Sequence, residues 1–210
     1  MQYKRLTPEE KWIVKGIPFL FLIGGLWHML YEISGKSILV GLISAVNESV
    51  WEHSKMILVP VIGWWSIYYI SKRKAYGIDR CKWFTGAMAA LLCSLTLIPL
   101  LYYFYTGAFG IKLLAVDIIL LFVSITVGQL LGLHLYRHAK GLPLPVPILV
   151  FGLLVAVFVT ATFIPPHIPL FRDSTTGTYG IGLAELGKKS ASYRQVRRVT
   201  GESVRIITKA

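Results

Sequence analysis

WFTGAMAALLCSLTLIPLLYYFY, residues 83–105, contains no charged side chain. A helix of about 20 apolar residues crosses the roughly 30 Å hydrocarbon core of a bilayer, so this block predicts a membrane span. The whole chain has the matching composition, because 55% of its 210 residues are hydrophobic and only 15% are charged. Soluble domains carry about 25% charged residues. We therefore expect an integral membrane protein.

Three further apolar blocks are long enough, or nearly so, to span a bilayer: residues 17–31, 113–135 and 147–164. A fifth block, residues 56–70, is too short at about 1.5 Å per helical residue, and reaches full length only if its helix begins near Asn47. The run before it, residues 37–46, covers about half a bilayer and predicts a re-entrant or interfacial segment. The predicted fold is an all-α integral membrane protein with a five-helix transmembrane bundle and this short segment before the second span.

Basic residues are concentrated in two of the segments that flank the spans. They are Lys4, Arg5, Lys11 and Lys15 before the first span, and Lys72, Arg73, Lys74, Arg80 and Lys82 after the second. The alternate connections carry only Lys36, Lys55 and Lys112. Because cytoplasmic loops are enriched in Lys and Arg, the N-terminus is predicted to be cytoplasmic in a multi-pass cell-membrane protein. The net charge of +12 then indicates contact with anionic lipid headgroups at the cytoplasmic face and not with nucleic acid.

Residues 174–210 form a basic C-terminal tail after a transmembrane domain of residues 1–173. The tail lacks apolar periodicity until a short VRIIT run, which predicts a flexible extension. Its charge favours the cytoplasm, whereas five spans place it outside; we give more weight to the short loops. An even number of spans would remove the conflict, but would require residues 37–46 to cross.

The predicted topology brings three polar segments to the outer face: the end of the first span, SAVNESVWEH at residues 44–53, and PPHIPLFRD at residues 165–173. Glu48 and Glu52 are four residues apart, and like charges so placed on a helix repel unless a proton, a cation or a neighbour such as Lys55 intervenes. Successive helical residues point about 100° apart, so on a regular helix His53 projects away from Glu48.

These segments supply the nitrogen and oxygen ligands that zinc or a similar divalent ion accepts. The predicted metal ligands are His28, Glu32, His53 and His167. Glu48 and Glu52 are the predicted catalytic carboxylates, with Glu52 as general base, and Asn47 and Arg172 are predicted to bind a polar or anionic substrate group. No HExxH or CxxC motif is present, and each group taken singly is better explained by a polar helix end or a local Glu–Lys pair than by a functional site. Their combination at one face of the membrane favours the functional site.

NESVWEH at residues 47–53 and PPHIPLFRDSTTGTYG at residues 165–180 resemble motifs of an uncharacterised family of small bacterial multi-spanning membrane proteins. The resemblance covers roughly residues 12–181. It implies a location in the bacterial inner membrane and assigns no activity.

Three classes of function are consistent with these residues. The first is a metal-dependent membrane-embedded hydrolase that acts on a lipid or similar substrate from the outer leaflet. The second is a small proton- or ion-coupled transporter that uses the carboxylates and Asp117. The third is a non-catalytic membrane scaffold. A pocket closed from below favours the hydrolase, while a polar path through Asp117 and Gln129 to His134 favours the transporter.

Overall fold

The computed structural model of the protein describes residues 6–181, and all α-helices in this range follow one another without an intervening β-strand. The elements are α1 (Pro8–Ile33), α2 (Ile38–Gly41), α3 (Val50–His53), α4 (Lys55–Tyr76), α5 (Arg80–Phe109), α6 (Leu114–His138), α7 (Pro145–Phe163) and a 3₁₀ turn (Pro169–Phe171). The predicted all-α class is confirmed. The prediction for the tail beyond residue 181 lies outside the described residues.

Four helices, α1, α5, α6 and α7, are long and apolar enough to cross a membrane. They correspond to the four longer apolar blocks of the sequence. The remaining predicted span corresponds to α4, which has 22 residues and packs against both α1 and α5. Its last two turns carry Lys72, Arg73 and Lys74, and these charges make it less apolar than the other four. A count of five spans therefore stays a prediction.

The long helices begin and end at residues suited to those positions. Thr7 and Glu10 form a capping box at the start of α1, in which each side chain accepts a hydrogen bond from the other residue's backbone N–H. The Asp79 side chain accepts a hydrogen bond from the Lys82 amide at 3.0 Å and begins α5. Gly77 and Gly110 end α4 and α5 with φ of 59° and 66°, a left-handed conformation that glycine adopts without a steric penalty.

The expectation that the second span begins near Asn47 is wrong. The Asn47 side chain accepts a hydrogen bond from the Ser49 amide at 3.0 Å, and the Ser49 hydroxyl accepts one from the Glu52 amide at 3.2 Å. These bonds hold residues 47–49 in a turn, so that α3 begins only at Val50. Apolar length alone does not report such caps.

Helices α5 and α6 pack closely because small residues face one another along both. A Cβ atom on Gly86 would lie 2.8 Å from the Gly132 carbonyl oxygen, and one on Gly132 would lie 2.7 Å from that of Gly86. Further along, the Ser94 hydroxyl lies 3.0 Å from the Ser124 carbonyl oxygen across the interface. Small residues spaced four apart allow membrane helices to approach through their backbones. This contact fixes the central pair of the bundle.

Aromatic rings join α1, α4 and α5 towards the end of the bundle at which α1 and α5 begin. Trp12 stacks on Trp64 with ring centroids 3.9 Å apart, and its indole N–H donates to the Trp64 carbonyl oxygen at 3.2 Å. The Trp83 indole donates to the Trp65 carbonyl oxygen at 3.0 Å. Both indoles thereby bury their polar N–H groups with a partner. Helix α4 is thus held on both sides.

Candidate functional site

The end of α1, residues 42–54 and residues 164–181 meet at one end of the bundle. The Trp27 indole donates to the Ile43 carbonyl oxygen at 2.6 Å. The Ser174 amide donates to the Glu48 carbonyl oxygen at 3.4 Å, and the Ile181 amide to the Thr162 carbonyl oxygen at 2.9 Å. Residues 174–181, which the sequence assigned to the tail, therefore pack against the helical domain. The three polar segments lie together at this end, because four long helices, α4 to α7, separate the second segment from the third, and an even number of crossings returns the chain to the same end.

His28, Glu48 and His53 converge at this end. His28 Nε2 lies 3.4 Å from Glu48 Oε1, and His53 Nε2 lies 3.3 Å from Glu48 Oε2. One ligand atom from each residue lies within 4.8 Å of those of the other two. All three side chains are partly exposed, with 32%, 42% and 33% of their surface accessible. These residues, which we call the His28–Glu48–His53 triad, could hold a metal ion.

The turn at residues 47–49 is what brings Glu48 to His53. On a regular helix the two side chains would diverge, as expected from the sequence, but Glu48 precedes the first residue of α3. Its side chain is therefore not constrained by the helical rotation of about 100° per residue. The predicted separation of Glu48 and His53 assumed a regular helix, and Glu48 is not part of one.

The hydrogen bonds of His53 assign its protons. His53 Nδ1 lies 2.8 Å from the Ser49 carbonyl oxygen, which can only accept, so Nδ1 carries a proton. In a neutral ring Nε2 would then direct its lone pair at the Glu48 carboxylate. Two acceptors facing each other at 3.3 Å repel, so either a proton or a cation must lie between them. The triad therefore requires a positive species.

Without a metal ion, protons fill this requirement. Hydrogen bonds from the His28 and His53 imidazoles hold the pKa of the Glu48 carboxyl well below its usual range. Glu48 is consequently a carboxylate at neutral pH, which is the form that binds a metal ion.

A second polar network lies beneath the triad and is fully buried. Glu52 and Lys55 are 2% and 0% exposed, and Lys55 Nζ lies 2.7 Å from Glu52 Oε2. The ammonium also donates to the Gly41 carbonyl oxygen at 2.9 Å and to the Thr162 hydroxyl at 2.5 Å. Glu52 Oε2 accepts from the Val46 amide at 3.0 Å. The pair thus joins the start of α4 to the segment before it and to α7.

A model of one protein family, described as a family of unknown function (DUF6512), matches residues 1–181. The chain belongs to this family. Both motifs singled out in the sequence lie inside the matched range. No match was found among curated proteins or among solved structures. The expectation of an uncharacterised family is confirmed, and membership of this family assigns no activity to the chain.

Three predicted site residues lie apart from the triad of this DUF6512 protein. Glu32 is exposed and pairs with Lys36 at 3.4 Å. His167 is exposed, and its ring centroid lies 4.7 Å from that of Tyr179. Glu52 is held by Lys55 in the buried network. The structure thus combines two of the predicted metal ligands with Glu48, a predicted catalytic carboxylate.

The two predicted substrate-binding residues differ in their surroundings. The Asn47 side-chain oxygen accepts from the Ser49 amide, and its NH₂ group donates to the Gly180 carbonyl oxygen at 3.4 Å. Both polar atoms of the side chain therefore support the local fold. Arg172 is exposed and forms an isolated bridge with Tyr179. Burial would raise the pKa of the neighbouring Asp173, but hydrogen bonds from Thr175 and Thr176 outweigh it and hold that pKa below its ordinary value.

Part of the buried network is predictable from the sequence. Lys55 lies three residues after Glu52, a spacing at which helical side chains meet, and this spacing makes Lys55 a candidate neighbour of the glutamates. Nothing in the sequence indicated that this pair would be buried. Thr162 carried no signal either, because it is one hydroxyl in an apolar span and meets Lys55 only through the fold.

Proposed function

We propose that this DUF6512 protein crosses the inner membrane of a bacterium five times, with its N-terminus in the cytoplasm and the triad on the outer side. Helix α4 is the fifth span, since 22 residues at about 1.5 Å each extend over about 33 Å. Its position between α1 and α5 supports this proposal. Residues 37–46 form the re-entrant segment. The Lys55 ammonium gives the Gly41 carbonyl oxygen of this segment a hydrogen-bond donor, which lipid tails cannot provide.

The topology can be tested with single cysteines introduced at two exposed positions in a Cys81→Ser/Cys93→Ser background. We expect Thr176→Cys to react with a membrane-impermeant maleimide in intact cells, and Lys74→Cys to react only after permeabilisation, because the two positions lie at opposite ends of the bundle. Mass-shift gels give the readout, and the unsubstituted background is the control. Labelling of both positions from the same side would contradict five spans. The reversed pattern would also contradict the proposal, because it results either from the opposite orientation or from a helix α4 that does not cross.

The triad binds a divalent metal ion, for which zinc is the best match. Two imidazoles and one carboxylate are a ligand set that catalytic zinc sites use, and such sites keep one position open for water. The observation that carries this proposal is the bond from His53 Nδ1 to the Ser49 carbonyl oxygen, which leaves Nε2 directed at Glu48. A ligating histidine characteristically donates its other N–H to such an acceptor.

The function that this site supports best is that of a metal-dependent hydrolase acting on a lipid or similar substrate from the outer leaflet. A bound zinc ion would supply a water of lowered pKa. Glu48 has two oxygens, so one can serve as a ligand while the other accepts a proton. Glu52 acts through the fold, because it holds the Val46 amide and hence the turn that carries Glu48. Arg172 is the exposed cation available to an anionic substrate group.

Metal content decides this proposal. Glu48→Gln and His53→Ala each remove one of three ligands, and we expect each to lower zinc affinity by more than about 100-fold, since even loss of an outer-shell partner costs 10–100-fold. Zinc is measured by elemental analysis after equilibration of the purified protein with buffered zinc. His134→Ala is the matched control: the ring centroids of His134 and His138 lie 4.7 Å apart, close to the 4.8 Å between those of His28 and His53, but both rings belong to α6 alone. Equal zinc loss in the control, or none in the triad variants, would contradict the site.

A non-catalytic scaffold is a second candidate, and the buried Glu52–Lys55 pair favours it. This pair joins three segments of the chain without any exposed atom available to a substrate. Under this alternative the triad is held by protons alone. Zinc titration then has no effect on the thermal stability of the wild-type protein.

A further inference from the structure

An apolar groove runs along the outer half of α5. It is shallow and open, with a volume of about 620 Å³, and therefore suits a chain that lies along the surface more than an enclosed ligand. Five residues of α5 and one residue of the 3₁₀ turn line it: Thr96, Pro99, Leu100, Tyr103, Phe104 and Leu170. Because these positions lie in the last turns before α5 ends at Phe109, the groove lies at the depth of the outer leaflet in the proposed topology.

The 3₁₀ turn that contributes Leu170 to the groove also packs against α3. Leu170 is followed by Phe171, which is buried with its ring centroid 4.7 Å from that of Trp51. Trp51 also stacks on Phe158 of α7 at 4.2 Å. Trp51 belongs to α3, the helix that carries His53. The groove and one proposed metal ligand are therefore connected through α3.

Two exposed cations lie close in sequence to the lining of the groove. Arg172 follows Leu170 by two residues, and Lys112 lies in the connection after α5. Within residues 6–181, neither of these cations has a carboxylate oxygen within 4.0 Å. An arginine fork matches a phosphate group in both charge and geometry. The Arg172 side chain is therefore available to a phosphate near the groove.

We propose that this groove binds one acyl chain of an anionic glycerophospholipid, with its phosphate at Arg172. The proposal deepens the proposed function, on which the role of this lipid as substrate rests, by naming its class. Lipid binding itself depends only on the groove and Arg172. The two proposals can therefore fail separately.

Lipid retention in native mass spectrometry tests the site. The delipidated full-length protein is incubated with phosphatidylglycerol or with phosphatidylcholine of the same acyl chains. We expect better retention of phosphatidylglycerol by the wild-type protein. Arg172→Gln should lower this preference about fivefold, since one basic side chain near anionic headgroups contributes about that factor. Leu100→Trp should lower retention of both lipids by filling the groove.

Two controls match these variants. Leu22→Trp adds the same ring to α1 at a leucine that is 64% exposed, against 60% for Leu100, and Lys74→Gln removes a cation from the other end of the bundle. Equal retention in Leu100→Trp and Leu22→Trp would overturn the groove, and equal retention of both lipids by the wild-type protein would overturn the anionic headgroup. Zinc is measured on the same samples. Selective lipid retention without bound zinc supports the lipid site and contradicts the metal-dependent hydrolase. Zinc binding without lipid selectivity supports the metal site and contradicts the lipid site.

Discussion

Replacement of Lys55 by Met is expected to destabilise the protein by about 3–5 kcal/mol, because it leaves a buried carboxylate without its partner. Glu52 is 2% exposed, and the ammonium of Lys55 is its closest cation at 2.7 Å. The same substitution also removes the donor for the Gly41 carbonyl oxygen and for Thr162. The measurement is the midpoint of thermal unfolding in detergent, followed by the loss of monodisperse protein on size-exclusion chromatography.

The Glu52→Gln/Lys55→Met double variant separates the charge from the packing. With both charges absent, the double variant should be more stable than Lys55→Met alone, because an apolar or neutral replacement of a buried pair is often tolerated. Lys36→Met is the control: its pair with Glu32 is largely exposed, and such surface pairs contribute about 1 kcal/mol or less. The stability losses of Glu52→Gln alone and of Lys55→Met alone are compared with that of the double variant. If the two losses simply add, the Glu52–Lys55 contact does not stabilise the fold.

The long apolar helices could be predicted because the length needed to cross a bilayer appears directly in the composition. Residues 83–105 predict a helix and α5 covers Arg80–Phe109; residues 113–135 predict another and α6 covers Leu114–His138. The residues added at the ends are mostly polar, aromatic or small, so that an apolar window excludes them although they are helical. The helix ends depend instead on caps such as Asp79 and Gly110, which form short-range hydrogen bonds or turns.

The candidate site was less predictable, for two physical reasons. Its members come from distant parts of the chain, so that His28 meets Glu48 only because α1 and α4 pack side by side. Its local geometry depends on the turn at residues 47–49, which a helical wheel cannot represent. Residue type did carry information, since the sequence selected His28, Glu48 and His53 as functional. It could not distinguish them from Glu32, which pairs with Lys36 at the surface.

Substitution of Gly128 by Leu is expected to separate α5 from α6 and to cost about 3 kcal/mol or more, above the usual range for an overpacked core, because the clash includes backbone. A Cβ atom at this position would overlap the Ser94 hydroxyl and would lie 2.5 Å from the Ala90 carbonyl oxygen. The hydroxyl can rotate, but the carbonyl belongs to the helix and cannot move alone. Thermal unfolding in detergent gives the measurement.

Gly152→Leu in α7 is the matched control, since a Cβ there meets no atom within 4 Å. That variant should be neutral or slightly more stable, because leucine favours a helix over glycine by up to about 1 kcal/mol. Similar unfolding midpoints for the two variants would mean that close approach at Gly128 is not needed to hold α5 and α6 together.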